Sequence, residues 1–85
     1  METIWQGHIA GIFEGYRGGR VHELSDGSRW RQDDHTDEYV YREGPRAKLL
    51  RDKGTGLTYL DVEGTSGIVP VVPDGGMSGL SVGAF

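Results

Sequence analysis

What most constrains this chain is its punctuation. Turn signals recur about every ten residues, and 15 of the 85 residues are glycine. The glycines follow no Gly-X-Y period, which excludes collagen. Between the turns, apolar residues alternate with polar ones, the period of strands with one face buried. Many tight turns and bulges joined by such runs are the habit of small β-barrels.

Seven runs read as strand candidates. Ile4 to Tyr16 alternates Ile9, Gly11 and Phe13 with Ala10, Ile12 and Glu14. Gly7, Gly11 and Gly15 recur within it at every fourth residue. Glycine is a poor helix former, so we read a strand in which glycines mark bends or close backbone approach. Val21–Leu24 and Arg29–Gln32 flank Ser25-Asp26-Gly27-Ser28, whose Asp-Gly pair favours a tight hairpin. Glu38–Arg42 is a further strand, broken by Gly44-Pro45. Ala47–Arg51 fits a strand or a single helical turn. Leu57–Val62 and Ile68–Val72 are β-rich, and Pro70 marks the latter as an edge strand or a bulge. From Asp74 to Phe85 the composition turns glycine-rich without a period. That stretch reads as a flexible tail whose terminal Phe85 suits docking on a neighbouring subunit.

The expectation is one all-β domain over residues 1–73, a small SH3-like barrel of about five to seven short antiparallel strands, with a tail over 74–85. Closure is economical at this size because it removes exposed sheet edges. A domain this small buries only roughly two-thirds of its unfolded surface, so it is marginally stable. Cysteine is absent, which excludes disulfides and thiolate–zinc sites. Subunit association is then the readiest remaining stabiliser, and a homo-oligomer, dimer or tetramer, is expected. The N-terminus lacks a basic segment followed by an apolar run, and no apolar stretch approaches the roughly 20 residues of a membrane span. The expected location is cytoplasmic.

The order Ile9-x-Gly11-x-Phe13-x-Gly15-Tyr16, Val21-x-x-Leu24, Asp26-Gly27-x-x-Trp30-x-Gln32 resembles a group of small uncharacterised bacterial proteins, some encoded on integron gene cassettes. Tyr39 and Tyr41, the strand Ala47–Arg51 and Leu60-Asp61-Val62-Glu63-Gly64 continue the resemblance, which covers roughly residues 4–72. It implies an SH3-like barrel and no established activity. Tyr16 stands where that pattern has Trp, and Asp26 where it has Asn; both swaps keep the physical role. The glycine-rich tail is outside the pattern.

No catalytic residues are assigned. Ser/His/Asp elbows and phosphate loops are missing, since Gly64-Thr65-Ser66-Gly67 and Asp52-Lys53-Gly54-Thr55-Gly56 read as turns. Gly15-Tyr16-Arg17-Gly18-Gly19-Arg20 reads as a glycine turn before an anion site. Asp33, Asp34, His35, Asp37 and Glu38 crowd four carboxylates and an imidazole into six residues. Their layout lacks the alternation of a calcium loop, so a solvated loop is the plainer reading. His8, His22 and His35 show no zinc spacing, and no metal or cofactor is expected.

Two surfaces remain. Trp5, Trp30, Tyr39 and Tyr41 suit an aromatic pocket for a cationic small molecule. Arg46, Lys48 and Arg51, near aromatics, suit single-stranded nucleic acid. The formal charge of −4 argues against the latter. The leading expectation is therefore a non-enzymatic, self-associating interaction module, with small-molecule binding and nucleic-acid binding as alternatives.

Overall fold

A computed structural model describes residues 1–74, so the expected tail lies, apart from Asp74, outside the described residues. The described residues form an all-β protein with eight short strands and no helix. These are β1 (Glu2–His8), β2 (Ile12–Phe13), β3 (Val21–Glu23), β4 (Arg29–Gln32), β5 (Arg42–Glu43), β6 (Arg46–Arg51), β7 (Thr58–Val62) and β8 (Ile68–Pro73). Six of them form an antiparallel sheet in the order β1-β6-β7-β8-β4-β3, and β2 pairs with β5.

The two ends of the large sheet meet. Just beyond β1 and β3, Ile9 bridges Leu24, Ala10 N donates to Glu23 O at 2.9 Å, and Ser25 N donates to His8 O at 2.8 Å. Over residues 2–7, β1 has no strand neighbour on its outer side among the described residues. The inward positions follow the strand period: Ala47 and Leu49 on β6, Leu60 and Val62 on β7, Val69 and Val71 on β8 are all buried. Ile9, Phe13, Tyr16 and Leu24 complete this core, and Trp5, Trp30 and Val40 pack on it half-buried. Each fully buried Leu or Val contributes roughly 1.5–3 kcal/mol.

The hairpin around Asp26-Gly27 pairs Val21 with Arg31 and Glu23 with Arg29, as its turn chemistry implies. Ala47–Arg51, which suited a strand or a helical turn, lies within β6 between β1 and β7. Three expectations change. The run Ile4–Tyr16 is not one strand, because the chain turns a corner at Gly11, whose φ is +78°. β1 and β2 then belong to different sheets. The strand expected over Glu38–Arg42 shrinks to a bridge at Glu38 and the short β5. β8 is not an edge strand, because β7 and β4 flank it. Pro70 is tolerated there because β4 ends at Gln32: Pro70 O accepts Asp33 N at 2.8 Å, so its missing N–H faces the region just past that strand.

Candidate interaction surface

A short ribbon, β2 against β5 extended by the Tyr16–Glu38 bridge, lies outside the main sheet and is tied to it through the Tyr16 hydroxyl and the Glu38 carboxylate. Tyr16 is 2% exposed. Its hydroxyl accepts a hydrogen bond from Val62 N at 3.1 Å and lies 2.9 Å from Gly67 O, 3.1 Å from Thr65 Oγ1 and 3.3 Å from Leu60 O. The hydroxyl thus fastens the ribbon to β7 and to the turn before β8. Burial raises its pKa above the ordinary value of 10 against the opposing pull of Thr65 and Val62, so it stays a neutral phenol. The ring meets Phe13 and His22 edge-on, at centroid distances of 5.9 and 6.4 Å.

The ribbon's facing strand is set by Glu38. Its backbone exchanges both hydrogen bonds with Tyr16, at 2.8 and 3.1 Å. Its carboxylate accepts from Ser66 N and Ser66 Oγ at 3.0 Å each. Phe13 pairs with Arg42, so four steps on one side face three on the other. Gly15 has a φ of +107°, and a Cβ at that position would overlap the Glu38 carbonyl oxygen. Residues 39–41 lie outside the strands, between the bridge at Glu38 and β5. Val40 turns in and packs on the core, while Tyr39 and Tyr41 stand 75% and 57% exposed. Arg42 lies across Gly64, where a Cβ would meet its guanidinium. Ile12, on the opposite strand, is 45% exposed.

The acidic run at residues 33–38 is organised by hydrogen bonds. Gln32 is buried; its Oε1 accepts Arg17 N at 2.7 Å, and its Nε2 donates to Asp34 Oδ1 and Thr36 O at 2.7 and 2.8 Å. The Asp34 carboxylate also accepts from Thr36 N and Thr36 Oγ1. No group of three or more metal-ligating side chains gathers among the described residues.

Beneath the ribbon, His22 turns inward between Phe13 and Tyr16, and its Nε2 has no hydrogen-bond partner among the described residues. Burial, with the nearby Arg20 charge, lowers its pKa from 6.5 to about 4, so the imidazole is neutral near pH 7. It lines a groove of about 320 Å³ together with Ile12, Phe13 and Arg20.

The four aromatics expected to form a pocket lie apart in two kinds of place. Trp5 packs over Gly7 beside Ser25, and Trp30 donates from Nε1 to Ser28 Oγ at 3.0 Å, so both brace the β3–β4 hairpin from the core side. Tyr39 and Tyr41 stand on the ribbon. Ring–ring contacts among the described residues fall instead between Phe13, Tyr16 and His22. Arg46 and Lys48 share the outer face of β6 and line a groove of about 440 Å³ with Gln6, His8, Asp61 and Glu63. Lys48 sits opposite Asp61 in register, so this face alternates in charge instead of forming a basic track. Arg51 has the opposite strand parity and donates to Thr58 Oγ1 at 3.4 Å. Sequence reasoning missed the roles of Gln32, Glu38 and the Tyr16 hydroxyl. Their partners lie up to 51 residues away in the chain, and nothing local signals them.

No known protein family, curated protein or solved structure matches this chain. No helix among the described residues is long and apolar enough to cross a membrane.

Proposed function

We propose that this protein is a non-enzymatic interaction module that self-associates, carried on an SH3-like barrel of the mobile bacterial type its sequence resembles. The meeting of the two sheet ends at Ile9 and Leu24 supports the barrel part of this reading. Self-association is supported by one observation above the others. The stretch Tyr39-Val40-Tyr41 makes no backbone hydrogen bond among the described residues, yet carries two large exposed aromatics. An unpaired backbone stretch with aromatic side chains is a template on which another chain can add a strand. The domain is also small and has no disulfide to stabilise it, so an added interface stabilises it by mass action.

Light scattering coupled to size-exclusion chromatography tests this. At about 100 µM protein the expected mass is a multiple of 9.3 kDa, falling toward 9.3 kDa on dilution. A mass of 9.3 kDa throughout would remove self-association from the proposal.

A further inference from the structure

The self-association proposed above has a specific geometry in the ribbon. Glu38 N and O both bond to Tyr16, and Gly44 N donates to Gly11 O at 2.8 Å. Glu38, Arg42 and Gly44 thus pair across to the 11–16 strand. In a regular strand with that alternation the N–H and C=O of Tyr39 and Tyr41 point the other way, toward a partner. These two residues form no backbone hydrogen bonds among the described residues.

The sequence along this edge is self-complementary. Glu38-Tyr39-Val40-Tyr41-Arg42 reads acid, aromatic, apolar, aromatic, base. When a second copy runs antiparallel with a two-fold axis at Val40, Tyr39 falls opposite Tyr41 and Glu38 falls opposite Arg42. The outward backbone groups at 39 and 41 are then the ones that exchange hydrogen bonds, and Val40 faces its own copy as the non-bonded pair. The Arg42 side chain makes no hydrogen bond or ion pair among the described residues, while the Glu38 carboxylate is held by the Ser66 amide and hydroxyl and keeps lone pairs for a cation.

We infer that two copies of this protein pair edge to edge through residues 38–42 about a two-fold axis at Val40, extending the ribbon into a four-stranded sheet across the dimer. The interface is isologous, so each favourable contact occurs twice. Tyr39 stands beside the partner's Tyr41 on the exposed face, a cross-strand aromatic pair. Glu38 meets the partner's Arg42 on the other face, next to the turn 64–67. The proposal rests on self-association, and its test separates the two.

The test uses two single variants, Glu38→Lys and Arg42→Glu, made in the full chain. Alone, each places like charges opposite one another twice and weakens self-association about tenfold. Mixed in equal amounts, the two restore both opposite-charge pairs in the heterodimer, so the mixture regains the wild-type dimer mass while neither variant alone does. Circular dichroism checks that each variant is folded. Glu38→Lys also loses its Ser66 contacts, so a second measurement uses the wild type. Amide exchange by NMR should slow at Tyr39 and Tyr41 as concentration rises, while the Val40 amide stays unchanged. Oligomers whose mass ignores the mixing, or whose protection falls elsewhere, would overturn this pairing and leave self-association through another surface standing. A monomer at every concentration would overturn both.

Discussion

The Tyr16 hydroxyl offers the sharpest test of how the ribbon is held. Replacing Tyr16 by Phe keeps the ring, and with it the edge contacts to Phe13 and His22. What disappears is the one acceptor for Val62 N and the donor aimed at Gly67 O. The bond from Val62 N to the phenol is buried, so in the variant this donor is left without a partner. An orphaned buried donor costs about 1–3 kcal/mol, and the lost donated bond about 1 kcal/mol more. Thr65 cushions the loss little, because its hydroxyl already lies 2.7 Å from Val62 O and 3.0 Å from Gly67 O. The expected cost is about 3 kcal/mol, which for a domain of this size lowers Tm by roughly 10–20 °C. Thermal melting by circular dichroism reads it directly, and urea unfolding should show a lower midpoint at an unchanged slope. A coupling of about 1 kcal/mol with Thr65→Ala in a double-mutant cycle would tie the effect to the turn. If Tyr16→Phe melts within about 3 °C of wild type, the hydroxyl does not anchor the ribbon and the mechanism is wrong.

Three further outcomes are expected. His22 has a folded pKa of about 4 against 6.5 unfolded, so its contribution is present above pH 6.5 and lost as pH falls toward 4. The loss should reach about 3 kcal/mol, and His22→Phe should flatten the slope of unfolding free energy in that window; an unchanged slope in the variant would assign the acid sensitivity elsewhere. Gly15→Ala combines a left-handed φ with overlap on the Glu38 carbonyl, so it should cost at least about 3 kcal/mol; a melt like wild type would show that the ribbon shifts freely. Gln32→Glu places a carboxylate against Asp34, now 2.7 Å from the amide, and should destabilise more at pH 7 than at acid pH, where protonation relieves the repulsion. Equal destabilisation at both pH values would mean that the amide does not hold the acidic loop.

Much of the architecture was legible locally. The Asp26-Gly27 turn fixes its hairpin because few other conformations suit that pair, and the alternation in Ala47–Arg51, Leu57–Val62 and Ile68–Val72 names the core face directly. Composition excluded disulfides, and the even spacing of turns implied an all-β chain. Position within the sheet was not legible, because a proline shows that a hydrogen bond is missing but not whether a neighbour ends beside it, as β4 does at Gln32. Nor was the fate of each aromatic. Trp5, Trp30, Tyr39 and Tyr41 look alike as amphipathic rings, and only the tertiary fold packs two of them on the core and leaves two in solvent. Glu38 reads in sequence as the last acid of a polar run and the start of a strand, and becomes the pivot of the ribbon because folding brings Tyr16 and Ser66 to it from 22 and 28 residues away. Periodicity and turn chemistry act over a few residues, so a sequence carries them openly. Contacts made by chain closure depend on the path of every strand between, and they exist only once the tertiary structure has formed.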